Sequence, residues 1–175
     1  MTEKHISVLL NESISSLNLK ENSIIVDATL GYGGHSSCTL ERIKKGYLFA
    51  FDQDSEAIRH STNRLSTVGT NFTIIKSNFV NMKEELNKLG VEKVDGVLFD
   101  LGVSSPQLDE AERGFSFHND AKLDMRMNQN QELSAFEVVN NYPKEKLIKI
   151  FFEYGEEKFS KSIAEAICKY EKLEQ

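Results

Sequence analysis

Cysteines, metal-binding histidine patterns and long apolar runs are scarce or absent in this 175-residue sequence. The two cysteines, Cys38 and Cys168, lie far apart and form no CxxC pair, so neither a disulfide framework nor a cysteine zinc site is indicated. The four histidines show no metal-ligand spacing, and we predict no metal. No stretch approaches the roughly 20 apolar residues of a membrane span, and the N-terminus is too polar for a signal peptide. We therefore expect a single soluble domain in a reducing cytoplasm, with no membrane partner.

Basic residues are fewer than acidic residues in this sequence. Lys and Arg total 21 against 27 Asp and Glu, which gives a net charge of -6. Proteins that bind RNA usually present a basic face to the phosphates, so this balance weighs against a nucleic-acid partner. Residues 141–175 hold seven Lys and seven Glu. A basic surface would therefore lie in that last part or outside this chain.

Short apolar runs alternate with amphipathic stretches over the first hundred residues, a pattern typical of a parallel sheet with crossover helices. Buried strands are predicted over residues 23–28, 47–52, 72–76 and 95–100. Helices are predicted between them, over residues 35–45, 55–66 and 81–89. The fold class is therefore α/β and Rossmann-like, with four strands of a parallel sheet.

The pattern changes after Asp100. Residues 101–133 contain turn residues without a strand pattern, and helical periodicity follows. Helices are predicted over residues 134–140, 144–153 and 157–172, with Pro143 at a helix start and Gly155 between the last two. We predict a Rossmann-like part over residues 1–105 and a helical region over residues 106–175.

A glycine-rich turn, DATLGYGGHS, follows the first predicted strand. Gly31, Gly33 and Gly34 lead straight into a helix, which lets a ligand approach the backbone closely. The free N–H groups of that helix, near His35, favour an anionic group such as a carboxylate or phosphate. An ordinary strand-to-helix turn is the alternative. The dinucleotide pattern G-x-G-x-x-G fails because Ser36 occupies its third glycine position.

Asp52 ends the second predicted strand, about 20 residues after the glycine turn, where nucleotide-binding α/β folds place an acid against the ribose hydroxyls. Asp54 is better placed to cap the next helix. Capping or simple exposure is the alternative for Asp52. Phe79, just past the third strand, could lie against an adenine ring, or it could be a core or loop aromatic.

Asp100 ends the fourth predicted strand, at the carboxyl edge where open parallel sheets bind ligands. Its place resembles that of the acidic or amide residue of amino-group methyltransferases. It could bind the ammonium of a methionine group or accept a hydrogen bond from a target amine. Capping or turn formation is the alternative.

Five segments together resemble the bacterial small-subunit ribosomal RNA cytosine-N4 methyltransferases, the RsmH (MraW) family. They are HISVLLNE, DATLGYGGHS, FDQD, residues 100–127 and YGEEKFSKSIAEAI. Ser7 stands where the family usually has proline or another residue. The resemblance spans nearly the whole chain and implies a class I S-adenosylmethionine-dependent methyltransferase.

The resemblance also assigns site residues. It implies that Gly33, Gly34 and His35 contact the methionine part of S-adenosyl-L-methionine, and that Asp52 holds the ribose. The remaining implied cofactor contacts are Phe79 beside the adenine, Asp100 and Gln107. Gln107 rests on the resemblance only, because its pattern alone indicates the start of a surface helix. Asp100 is also the candidate catalytic residue.

The implied reaction is N4-methylation of a cytosine in the decoding region of 16S ribosomal RNA, in the small ribosomal subunit. The target base must leave its stack to reach the cofactor. Arg113, Lys122 and Arg126 could meet RNA phosphates or form ion pairs with neighbouring acids. Phe115 and Phe117 could stack on a base, although packing is the stronger expectation.

Family members are considerably longer and complete their sheet beyond a helical insertion, within which this chain ends. We therefore expect a shortened product, with residues 106–175 as the start of a substrate-recognition region. An unprotected sheet edge would favour association or disorder, and a homodimer is one such association. Two rivals remain: a non-catalytic fragment that binds cofactor or RNA, and an NAD-dependent oxidoreductase, which Ser36 and the DLGVSSPQ segment disfavour.

Overall fold

The computed structural model describes residues 7–170 and divides the chain into two compact units, Met1–Gly102 and Val103–Gln175. The division predicted from the sequence lay after residue 105. The opening segment HISVLLNE falls partly outside the described residues. Within residues 7–170, no helix has the length and apolar character that crossing a membrane requires.

The first unit is built on four parallel strands in the order β3-β2-β1-β4. They are β1 (Ile24–Asp27), β2 (Tyr47–Asp52), β3 (Phe72–Lys76) and β4 (Gly96–Leu98). In the register of the sheet, Asp27 of β1 lies beside Ala50 of β2 and Leu98 of β4. β1 and β4 therefore end at the same level, and β2 continues past them to Asp52. The predicted Rossmann-like parallel fold is confirmed.

Alternating side chains of the central strands feed two apolar cores, because successive residues of a strand point to opposite faces. Ile25 and Leu48 pack on one face, while Val26, Phe49 and Phe51 pack on the other. β1 and β2 are buried, as predicted. The prediction of burial is wrong for β3 and β4, which are half-buried because each lies at an edge of the described sheet.

Four helices complete the first unit: α1 (Leu10–Ser16), α2 (Gly34–Arg42), α3 (Ser55–Ser66) and α4 (Met82–Lys88). The last three confirm predicted helices to within a few residues. A 3₁₀ turn, Phe79–Asn81, precedes α4. The sequence did not predict α1, because this short helix buries a single residue, Ile14, and shows no repeating apolar stripe.

The second unit is helical, with α5 (Ser105–Asp109), α6 (Ala135–Asn141), α7 (Lys144–Glu153) and α8 (Ser160–Lys169). A 3₁₀ turn, Ala111–Arg113, follows α5. Leu147 of α7 and Ala164 of α8 are fully buried. The helix predicted from residue 157 begins only at Ser160, because Glu156 has a φ of 50° and the Glu157 carboxylate accepts a hydrogen bond from the Phe159 N–H.

Candidate cofactor site

The glycine turn joins β1 to α2 at the carboxyl edge of the sheet. Gly31 and Gly33 have φ values of 50° and 75°, which glycine adopts without the strain of a side chain. Gly33 is the N-cap of α2 and provides no side chain to bond the first N–H groups of the helix. A Cβ built on Gly31 would meet nothing closer than the Thr29 carbonyl oxygen at 3.9 Å. A Cβ on Gly33 would instead lie 3.2 Å from the Ser61 side chain, and one on Gly34 would clash with the Ser7 side chain. The turn is therefore open at Gly31, and the N-terminus of α2 favours an anionic group.

Asp52, at the end of β2, braces this turn. Its Oδ2 accepts a hydrogen bond from the Gly31 N–H at 2.8 Å, and its Oδ1 accepts one from the Asp54 N–H at 2.9 Å. Burial raises the pKa of Asp52, and these two bonds oppose that rise. Each carboxylate oxygen has a further lone pair for a hydroxyl donor. Asp54 caps α3 by accepting from the Glu56 N–H, as expected.

Asp27 braces the turn from the other side. Its side chain is buried, with 2% exposure, and its Oδ2 accepts a hydrogen bond of 2.7 Å from the Ser36 hydroxyl of α2. The Thr29 N–H donates to Oδ1 at 3.1 Å. Burial raises the pKa of Asp27, although both bonds act in the opposite direction. The end of β1 is therefore fastened to the first turn of α2 through a carboxyl group.

Asp27 makes the stability of the first unit depend on pH. Because the pKa of Asp27 is raised above 3.8, the stability that its proton contributes is complete below pH 3.8 and is lost as the pH rises through the raised value. We expect the free energy of unfolding of Asp27→Asn, relative to wild type, to increase as the pH rises above about 4. Urea unfolding at several pH values measures this difference.

The exposed Glu84 provides a control of opposite sign for that series. Hydrogen bonding to Lys88 lowers the pKa of Glu84, so its contribution is present at neutral pH and is lost as the pH falls. Glu84→Gln should therefore become less stable than wild type as the pH rises. If the free energies of unfolding of the two variants, each relative to wild type, changed with pH in the same direction, the pKa of Asp27 would not be raised in the folded protein.

His35 and Asp100 face each other beside the turn. The His35 ring is buried, and its Nδ1 lies 3.7 Å from Oδ2 of Asp100, whose side chain is 47% exposed. The Asp100 N–H donates to Oγ1 of Thr29 at 2.7 Å, which joins the ends of β1 and β4. Among the described residues, Nε2 of His35 has no hydrogen-bond partner although it is buried. The exposed group of this pair is therefore the Asp100 carboxylate, which a ligand can reach.

Phe79 lies at the carboxyl end of β3, in the 3₁₀ turn, and is 39% exposed. Its ring meets that of Phe99 edge to face, with 5.5 Å between the ring centroids. Phe99 is 51% exposed and directly precedes Asp100. The two rings form an apolar wall of the kind that an aromatic base packs against.

Gln107 belongs to α5 in the second unit and is buried. Its Oε1 accepts a hydrogen bond from the Ser104 N–H at 3.0 Å, and its own N–H donates to the Ser104 hydroxyl at 3.4 Å. The side chain thus completes a capping box. Its role as a cofactor contact stays a prediction.

The first unit therefore brings six predicted residues to one edge of the sheet: Gly33, Gly34, His35, Asp52, Phe79 and Asp100. Sequence reasoning did not find Thr29, Ser36 or Phe99. The signal for Ser36 was present, since it follows the glycine turn directly, but its bond to Asp27 depends on the packing of α2 against β1.

A parallel α/β unit with a glycine turn after its first strand and an acid after its second defines a Rossmann-like nucleotide-cofactor fold. The chain belongs to the MraW methylase family, whose model matches residues 2–175.

Individual relatives carry related names. Ribosomal RNA small subunit methyltransferase H of Mycoplasmopsis agalactiae is 55% identical over 169 residues, which cover 97% of this chain and 56% of the relative. The protein of the same name from Exiguobacterium sibiricum is 57% identical over 166 residues, covering 95% and 53%. A solved putative rRNA-methylase from Clostridium thermocellum is 28% identical with a TM-score of 0.48, covering 59% of this chain and 58% of that chain. The chain spans about half the length of the curated relatives it matches.

Proposed function

We propose that the first unit binds S-adenosyl-L-methionine at the carboxyl edge of its sheet. The observation that carries this proposal is the glycine turn at the start of α2, which Asp52 and Asp27 brace by hydrogen bonds. The membership of the MraW methylase family supports a methyl-donating cofactor over NAD. The residues present fit S-adenosylmethionine, which combines an anionic carboxylate, ribose hydroxyls and an aromatic base.

Each part of that cofactor has a matching group in the first unit. Gly33, Gly34 and His35 would hold the methionine end, where the start of α2 favours the carboxylate. Asp52 would accept from the ribose hydroxyls, and Phe79 would border the adenine. Asp100 completes the contacts proposed within this unit. A cofactor contact by Gln107 stays a prediction from the sequence.

The reaction we propose is N4-methylation of a cytosine in 16S ribosomal RNA, and the names of the relatives support a small-subunit RNA substrate. The bound cofactor supplies an electrophilic methyl group on a sulfonium. The protein's task is then mainly positioning, because methyl transfer requires an in-line approach of the amine. Asp100 would accept a hydrogen bond from the exocyclic amine and so favour the positive charge that develops there. We place this activity in the cytoplasm, on the small ribosomal subunit, with a homodimer as the proposed assembly.

A second candidate is a module that binds cofactor or RNA without turnover. The observation in its favour is that the first unit presents several groups for a cofactor, whereas Asp100 alone is assigned to the reacting amine. Transfer of a labelled methyl group to 16S ribosomal RNA in small subunits separates the two candidates. Label in the RNA supports the enzyme, whereas cofactor binding without label supports the module.

Calorimetric titration of S-adenosylmethionine and, separately, of NAD into the full 175-residue chain tests the site. We expect saturable binding of S-adenosylmethionine and no heat of binding with NAD. The same titration with methionine alone checks the contribution of the α2 end of the site. Binding of NAD, or binding of neither cofactor by a chain whose circular dichroism shows it folded, would refute the proposed site.

A further inference from the structure

The second unit contains a loop with a fixed base, here called the 114–123 loop. Gly114 has a φ of 68°, and a Cβ at this position would lie 2.5 Å from the Lys122 carbonyl oxygen and 2.7 Å from the Asp124 nitrogen. The two ends of the loop therefore touch through backbone. The Met125 N–H donates to the Arg113 carbonyl oxygen at 3.0 Å, which closes the base by a further hydrogen bond.

Arg113 and Arg126 belong to this base. Arg113 is buried, and its Nη2 donates to the carbonyl oxygens of Arg126 and Met127 at 3.1 and 3.3 Å. Arg126 forms an ion pair with Asp124 at 2.6 Å. Of the three cations considered for RNA phosphates, these two have structural partners, so the ion-pair alternative is confirmed for Arg126. Only Lys122 projects from the loop as an exposed cation.

The tip of the loop exposes an aromatic ring. Phe117 is 94% exposed, so the expectation that it packs is wrong. Its ring lies 4.8 Å from that of His118 between centroids, and the His118 N–H donates to the Ser116 hydroxyl at 3.2 Å. Phe115 is half-buried and lies under the Arg113 guanidinium. Both faces of the Phe117 ring are therefore accessible to an aromatic partner.

The loop surrounds a concavity of about 510 Å³ that mixes aromatic and polar groups. Its lining includes Phe115, Ser116, Phe117, Asn119, Asp120 and Lys122. Pockets for small organic groups commonly have about 300 to 1,000 Å³. A nucleobase combines apolar faces with an edge of donors and acceptors, which matches this lining. An apolar protein segment would instead cover four polar side chains without pairing them.

We propose that the 114–123 loop is a nucleobase subsite, in which Phe117 stacks on an unpaired base of the RNA and the polar lining pairs with its edge. Lys122 would attract the adjoining phosphate. This inference rests on the proposed RNA substrate, but it assigns the contact to residues of the second unit alone. It therefore predicts an effect on RNA affinity that is separate from cofactor binding.

The test uses the full chain and an unstructured, end-labelled oligouridine that carries one cytosine, at a fixed low salt concentration. Phe117→Ala should weaken binding about tenfold in fluorescence anisotropy, because one stacked base is lost. Phe117→Leu should weaken it similarly, since leucine keeps the bulk without the aromatic face. Phe117→Trp should retain affinity, and its fluorescence should fall when RNA binds. The natural sequence contains no tryptophan, so this signal would come from position 117 alone.

Phe152→Ala is the matched control, because Phe152 lies on α7 of the same unit and is 62% exposed. It should leave RNA affinity unchanged, and all variants should bind S-adenosylmethionine as wild type does. Equal losses for Phe117→Ala and Phe152→Ala, or no loss for either, would overturn the subsite. A change in sedimentation with unchanged RNA affinity would assign Phe117 to a protein interface instead. Failure of wild type to bind RNA while it binds cofactor overturns this inference alone, whereas failure to bind cofactor contradicts the proposed function.

Discussion

Replacing Gly46 by alanine is expected to destabilise the first unit by about 3 kcal/mol or more. A Cβ at this position would lie 2.0 Å from the carbonyl oxygen of Ser23 and 2.9 Å from the carbonyl carbon of Asn22. Both are backbone atoms, so no side-chain rotation can relieve the clash. The same oxygen accepts the Tyr47 N–H at 3.1 Å, where β2 begins to pair with β1. Urea unfolding followed by circular dichroism measures the loss.

Gly90→Ala is the matched control for that experiment. Gly90 has a φ of 75°, but a Cβ there would meet nothing within 4 Å. Only the backbone preference is lost, which costs about 1 to 2 kcal/mol. If the two variants lost equal stability, the close approach of Gly46 to β1 would not be the cause.

Asp52→Ala is expected to weaken binding of S-adenosylmethionine about a hundredfold. The substitution removes the acceptors proposed for the ribose and also the brace on the Gly31 N–H. Hydrogen bonds to a charged group contribute about 1.5 to 3 kcal/mol each, and about 2.8 kcal/mol corresponds to a factor of one hundred. Asp52→Asn retains one acceptor oxygen and should lose about tenfold, which calorimetric titration can resolve.

Asp54→Ala separates this effect from a general loss of helix stability. The Asp54 side chain caps α3, so its removal should cost about 1 kcal/mol of stability. Its N–H, which donates to Asp52, remains in the alanine variant. We expect cofactor affinity to stay within about twofold of wild type. A hundredfold loss in Asp54→Ala would show that the bend after β2, rather than the Asp52 carboxylate, determines binding.

The spacing of apolar residues in the sequence was sufficient to predict the parallel sheet. The apolar runs predicted all four strands. For β1 and β2 the reason is that parallel strands with two covered faces are nearly continuous in hydrophobicity. The order of the strands in the sheet could not be predicted from the sequence pattern. The exposure of β3 and β4 follows from their edge positions, which a local pattern does not encode.

Short elements and pairwise contacts were the other gaps. α1 buries only Ile14, so its sequence shows no apolar stripe from which a helix could be predicted. The placement of Asp52 at a strand end followed from spacing, but its bond to Gly31 joins residues 21 positions apart. Phe117 shows the reverse case, since an aromatic residue predicts packing by composition, whereas its loop holds it in solvent.

The placement of the proposed binding groups at the ends of separate strands has a consequence for ligand design. The groups proposed to bind S-adenosylmethionine lie along the edge of the sheet, each at the end of a different strand, and do not surround a single deep pocket. Adenosine and methionine should consequently behave as separable half-ligands, each weak and each reporting on its own strands. Joining the two halves would increase affinity mainly because, once one half is bound, the linker gives the other a high effective concentration at its site. Inhibitors of this site can be designed by linking an adenosine-like fragment to a methionine-like fragment.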